Sequence, residues 1–148
     1  MRFLVDTHCW LWAVSAPERL KHSGRELLED PANTVIFSAV SALEIAIKVS
    51  LGKLKLPEHA SDFVSSRIET LAMTVLPVYV AHALRVASLP RHHGDPFDRL
   101  LVAQCQIERL PLMTADAALV AYDVEILWIG QGRVPSRSRA RASLTSSA

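Results

Sequence analysis

The sequence predicts an α/β domain whose mostly parallel sheet of about five strands is covered on both faces by helices. Three observations predict it. Short apolar runs alternate with helical segments of ten or so residues from position 2 to position 129, the pattern of strand–helix–strand units. At 148 residues, half of them hydrophobic, the chain has the size of one domain with a real core. No apolar run approaches the ~20 residues a membrane span needs, so these runs belong inside a folded protein and not in a bilayer.

The elements follow in order. Residues 2–5, Arg-Phe-Leu-Val, read as the first strand, followed by Asp6-Thr7-His8 and a short helix over 9–14 that Ser15-Ala16-Pro17 ends. A helix over 22–30 closes at Pro31, and 34–37 is the second strand. The next helix spans about 42–51: Ser41 and Glu44 have capping-box spacing, and Gly52 stands just past the end. Residues 53–57 read as an extended linker, and a helix over 59–72 offers Phe63, Val64, Ile68 and Leu71 as its buried stripe. Residues 74–76 form the third strand, and a helix over 79–89 carries Val80, Leu84 and Ala87 on one side. A loop ends at Asp95, a good N-cap, and Pro96 is pre-shaped for the first helical position. That helix runs to about Arg109, with Phe97, Leu101 and Cys105 on an apolar face beside Leu100 and Ile107. Residues 112–114 are the fourth strand, a helical turn passes through Leu119, and 124–129 are the fifth. Residues 1–132 read as one domain, and 133–148, rich in Arg, Ser and Ala, as a tail disordered on its own.

The net charge of +1 hides an asymmetry. Residues 1–132 hold 12 Lys and Arg against 15 Asp and Glu, a net of −3, and the tail adds four arginines and no acid. A mildly acidic body lacks the charge signature of a sequence-blind nucleic-acid binder. Cys9 and Cys105 fall inside helices and make no disulfide framework, and Asp6 comes too early for a signal peptide's apolar region. A reduced, cytosolic protein is expected.

In parallel α/β sheets, ligands bind beyond the carboxyl ends of the strands. Asp6 follows the first strand, Glu44 lies early in the helix after the second, Asp98 sits in the first turn of the helix opened by Asp95, and Asp116 follows the fourth strand. Four acids from four segments thus fall at strand-to-helix crossings that share one edge. Such a cluster repels itself unless a cation neutralises it. Oxygen-only ligands point to Mg²⁺ or Mn²⁺. Each acid also has a plainer reading: Glu44 as the capping partner of Ser41, Asp98 as the third residue of a box opened by Asp95, Asp116 as a turn acid. Asp6 resists it, because an acid between an apolar strand and a Trp-rich helix is costly to bury unsatisfied.

The neighbouring polar residues divide in the same way. Thr7 and Thr114 can hydrogen-bond carboxylates or a metal-bound water, or serve as strand-end and N-cap hydroxyls. Arg99 is either a contact to phosphate or to a partner's carboxylate, or a solvent-facing arginine. His92 and His93 are either RNA contacts or surface loop residues. Trp10 and Trp12, two apart on a helix, cannot share a face, so one belongs to the core and the other to a surface. Lys48, one turn after Glu44, is positioned to pair with it.

Four blocks of this sequence resemble the PIN-domain ribonucleases and, within them, the VapC-type toxins of toxin–antitoxin pairs. The first is Leu4-Val5-Asp6-Thr7-His8 with Trp12. The second is residues 41–48, Ser-Ala-Leu-Glu-Ile-Ala-Ile-Lys, with Gly52-Lys53-Leu54. The third runs from Leu89-Pro90 and His92-His93 through Asp95-Pro96-Phe97-Asp98-Arg99-Leu100-Leu101 to Ala103-Gln104, and the fourth is Leu112-Met113-Thr114-Ala115-Asp116. The acids Asp6, Glu44, Asp98 and Asp116 match the family's catalytic, metal-binding acids in order, and the likeness spans about residues 2–129. It implies a three-layer α/β/α fold and a Mg²⁺- or Mn²⁺-dependent endoribonuclease acting on structured RNA such as tRNA or rRNA. Activated water would leave 5′-phosphate and 3′-hydroxyl ends. It also implies a homodimer and a cognate VapB-type antitoxin in a toxin–antitoxin hetero-oligomer. The competing class is a non-catalytic interaction domain of the same fold. A phosphotransfer receiver is set aside, since it needs adjacent acids after strand one and a late lysine, and the last lysine here is Lys55.

Overall fold

The computed structural model describes residues 1–137, and the expected tail lies outside the described residues from position 138 on. Five strands, β1 (Arg2–Val5), β2 (Thr34–Ser38), β3 (Thr74–Leu76), β4 (Leu112–Thr114) and β5 (Ile126–Trp128), form one sheet in the order β3-β2-β1-β4-β5. Every pairing is parallel. The chain lays strands outward from β1 through β2 to β3, then crosses back to add β4 and β5 on the other side. The strand order therefore reverses between β1 and β4, the switch point at whose carboxyl ends ligands bind in sheets of this kind.

Alternation along the strands makes two cores from one sheet. Leu4, Ile36 and Leu112 point to one face and join Val40, Leu101, Val102, Leu119 and Tyr122. Phe3, Val5, Val35, Phe37 and Met113 point to the other and join Trp10, Ile45, Phe63 and Ile129. The helices that close these layers are α1 (Thr7–Ser15), α2 (His22–Glu29), α3 (Ala39–Ser50), α4 (Ala60–Thr70), α5 (Val80–Arg85), α6 (Pro96–Glu108) and α7 (Ala117–Val120). The result is the three-layer α/β/α architecture.

Three helix readings need correction. α3 begins at Ala39, directly after β2, because the Ser38 hydroxyl accepts the Val40 N–H and caps it. Ser41 is therefore inside the helix and opens no capping box for Glu44. The helix over 79–89 is a six-residue α5 followed by a 3₁₀ turn at Val86–Ser88, and its stripe faces outward: Val80 and Leu84 are exposed. Leu71 and Ile107 are exposed as well, since Leu71 lies at the α4 C-cap, and α6 is buried around residues 101–105 instead of along a narrow stripe. Gly52 holds φ +70°, the left-handed turn expected beyond α3.

Trp10 is the core member of the tryptophan pair. It is fully buried, 4.8 Å from the Phe37 ring and 6.1 Å from Phe63. Trp12 is only partly buried, with the Arg19 guanidinium 5.9 Å from its ring. Trp10→Ala is expected to cost about 3–5 kcal/mol, the usual loss for a large buried ring. Urea unfolding followed by circular dichroism measures it, and a cost under about 1 kcal/mol would contradict the packing described.

Candidate active site

The junction between β1 and β4 is built around Asp6. This residue caps α1, with Oδ1 accepting the Cys9 N–H at 2.8 Å. Oδ2 accepts the Thr114 hydroxyl from the end of β4. The backbone fixes the same junction, since Asp6 N donates to Met113 O at 3.0 Å. Asp6 is only 3% exposed, and burial raises its pKa despite the lowering effect of Thr114 and Cys9; Asp98 adds a repulsion that raises it further.

Asp98 stands in the first turn of α6, below the Asp95 cap, whose Oδ1 accepts the N–H groups of Phe97 and Asp98. Burial raises the Asp98 pKa, the His93 hydrogen bond opposes the rise, and the negative charges of Asp95 and Asp116 reinforce it. Asp116 caps the short α7 through Ala118 N, while its own N–H donates to the Thr114 hydroxyl. Thr114 thereby ties two acids together. Repulsion couples Asp98 to Asp6 on one side and to Asp116 on the other.

Glu44 reaches the interior from α3. It is 2% exposed, its Oε2 meets Lys48 Nζ at 2.6 Å, and its Oε1 is buried with no hydrogen-bond partner. The expected Glu44–Lys48 pair is present. Thr7 donates to Ser41 Oγ at 2.8 Å and not to an acid, so its hydroxyl binds α1 to α3.

Arg99 is not the solvent-facing arginine of the plainer reading. It is buried, and its guanidinium donates to the carbonyls of Pro90, Val86 and Leu89 and to the Tyr122 hydroxyl. It clamps the loop before α6. His93 is likewise built in, bonded to Asp98 on one side and Tyr122 on the other. Sequence reasoning missed Tyr122, and also the buried chain in which Ser38 donates to Gln104 Oε1 at 2.5 Å and His82 Nε2 meets Glu108 at 2.8 Å. These partners lie 23 to 66 residues apart, so no local spacing announces them.

The PIN domain family matches residues 3–125. This chain belongs to the PIN-domain family. Over 58 residues it is 40% identical to Ribonuclease VapC16 of Mycobacterium tuberculosis, a match covering 39% of this chain and 41% of that protein. The chain thus aligns with about two fifths of the relative's length. Among solved structures, VapBC2 from Rickettsia felis bound to a DNA fragment from their promoter superposes with a TM-score of 0.68 at 14% identity, covering 87% of this chain and 99% of that one. FitAcB from Neisseria gonorrhoeae gives 0.54 at 23% identity, covering 85% and 96%. These likenesses are of fold.

Among the described residues, no three His, Cys, Asp or Glu side chains form a ready-made metal cage. The donor set nevertheless suits Mg²⁺ or Mn²⁺, since such ions use one or two carboxylates and keep waters for the remaining positions. Two observations support the fit: the orphaned Glu44 Oε1, and carboxyl groups held against their own charge at Asp6 and Asp98.

A raised carboxyl pKa in the folded state fixes the sign of a pH effect. The stability contributed by Asp98 is complete below the unfolded pKa of about 3.9 and is lost as pH rises through the folded value. Asp98→Asn, which still accepts from His93, should therefore melt a few degrees higher than the natural chain at pH 7 in chelator. The gap should close as pH falls toward 4. Differential scanning calorimetry across that range is the measurement, and a variant that melts lower at pH 7 would refute the assignment.

Proposed function

We propose that this protein is the toxin of a toxin–antitoxin pair and a Mg²⁺- or Mn²⁺-dependent endoribonuclease. The observation that carries the reading is a buried acid, Asp6, at the switch point of a PIN domain, fixed there by the Cys9 N–H and the Thr114 hydroxyl. RNA is taken as the substrate because the relative similar over 58 residues is a ribonuclease.

In this reading Asp6, Asp98, Asp116 and Glu44 hold the cation, directly or through water. When bound, the ion supplies a water activated at neutral pH and charge stabilisation at the scissile phosphate. The protein's own part is placement. Thr114 fixes Asp6 and the start of the Asp116 turn, the Asp95 cap sets the first turn of α6 under Asp98, and Lys48 offsets one oxygen of Glu44. Hydrolysis by water, without the ribose 2′-hydroxyl, leaves 5′-phosphate and 3′-hydroxyl ends. The acidic body makes binding weak and salt-sensitive, with selectivity from loop shape and unpaired bases.

The partner is a cognate VapB-type antitoxin. This rests on the four blocks that resemble VapC-type toxins and on solved neighbours that carry the names VapBC2 and FitAcB. A self-repelling carboxylate cluster attracts a basic side chain from such a partner. Homodimerisation belongs to the same reading, since Val80 and Leu84, one turn apart on α5, leave apolar surface exposed.

Total cellular RNA incubated with Mg²⁺, Mn²⁺ or chelator tests the activity. The natural chain should cut it only with metal, and Asp6→Asn and Asp98→Asn should abolish cleavage. Thr114→Val, which removes the hydroxyl that orients Asp6, should lose about 10- to 100-fold. Chelator-resistant cleavage, or acid variants as active as the natural chain, would overturn the assignment; ends bearing 2′,3′-cyclic phosphate would overturn the water mechanism. A saturating equimolar antitoxin should suppress cleavage, and unchanged cleavage would remove the partner from the proposal.

A further inference from the structure

The polar side chains packed behind Asp98 form a connected series that the family match does not explain. Tyr122, completely buried just beyond α7, receives the Arg99 Nη1 at 3.1 Å on its hydroxyl oxygen. The same hydroxyl lies 2.7 Å from His93 Nδ1, and His93 Nε2 lies 3.1 Å from Asp98 Oδ2.

We propose that Tyr122 is a positioning residue: its hydroxyl, donating to Nδ1, holds the His93 ring so that the Nε2–H meets and fixes the Asp98 carboxylate. The meaning for catalysis rests on the nuclease reading above, whereas the hydrogen-bond order does not.

The order follows from what each group can do. A guanidinium only donates, so the Tyr122 oxygen accepts from Arg99. Tyrosine has one proton left to place, and His93 Nδ1 is the group within reach. With Nδ1 accepting, the neutral imidazole carries its proton on Nε2. A carboxylate only accepts, so Nε2–H donates to Asp98. Every donor then meets an acceptor. The opposite tautomer sets the Nε2 lone pair against a carboxylate oxygen and strands the tyrosine proton in the core, a costly arrangement.

Tyr122→Phe isolates the hydroxyl. The ring's contacts stay available: His92 at 4.8 Å and His93 at 5.4 Å edge-on, and the Arg99 guanidinium at 6.0 Å. Arg99 keeps its three carbonyl acceptors, Val86, Leu89 and Pro90.

Nitrogen-15 NMR of the imidazoles in metal-free protein at pH 8 reads the tautomer directly. The natural chain should show His93 protonated on Nε2 alone, with its Nδ1 signal displaced by an accepted hydrogen bond, and Tyr122→Phe should move that signal toward its unbonded position. Simple loss of packing would lower the melting temperature without moving the Nδ1 signal. By calorimetry, Tyr122→Phe should bind Mn²⁺ about 10- to 100-fold more weakly, as for other residues that orient a ligand. His93→Gln places an amide donor near Nε2 without needing Tyr122, so adding Tyr122→Phe to His93→Gln should produce no further loss. A natural chain with His93 protonated on Nδ1 or on both nitrogens, an Nδ1 signal unmoved by Tyr122→Phe, or additive losses in the double variant would each overturn the proposal. Failure of the natural chain to bind Mn²⁺ would defeat the metal reading, and the imidazole measurement would still decide the role of Tyr122.

Discussion

Burial of the Asp6 carboxylate is the constraint around which the molecule is arranged. A charge removed from water is tolerated only with donors close by, and here they come from both sides of the switch point. The Cys9 N–H belongs to the helix that follows β1, and the Thr114 hydroxyl belongs to the end of β4. Those two bonds lower the pKa, yet burial and the nearby Asp98 outweigh them. The carboxyl group is therefore held against its own charge. Under the function proposed above, stability and activity would pull against each other at this one point.

The rest of the polar interior distributes the support. α6 runs through the middle of one layer and carries three tethers of different kinds. Asp98 bonds to His93, Arg99 clamps the preceding loop, and Gln104 reaches Ser38, the cap of α3, and the Pro77 carbonyl. Because α3 carries Glu44, a single helix links the segments that hold two of the acids. Polar bonds inside a core are valuable only when satisfied on both sides. The Ser38–Gln104 and His93–Tyr122–Arg99 groups meet that condition, whereas Glu44 Oε1 does not. Arg25 Nε and Trp128 Nε1 share that state, and of the three only Glu44 Oε1 belongs to a matched acid.

Much of this was legible in the chain. The apolar runs at 2–5 and 34–37 read as strands, and the alternation of side chains along a strand then sends Phe3, Val5, Val35 and Phe37 to one core and Leu4 and Ile36 to the other. Asp95-Pro96 marks the start of α6, because an Asx cap and a proline at the first helical position act within four residues. Helix edges whose signals compete were less legible. Ser38 and Ser41 are both capping residues, and the strand leading into Ser38 decided for the first.

Sequence by itself determined the fold class, the helix that presents Asp98, and the four acids in order, since these depend on local patterning and on residue types that chemistry requires. Tertiary structure decided the order β3-β2-β1-β4-β5, and with it the meeting of Asp6 and Thr114 across 108 positions. It also turned Arg99 inward, made His93 part of the wall, and left Val80 and Leu84 outside. Each of these depends on which distant segment supplies an acceptor or a covering surface. That information exists only once loop closure has brought the segments together.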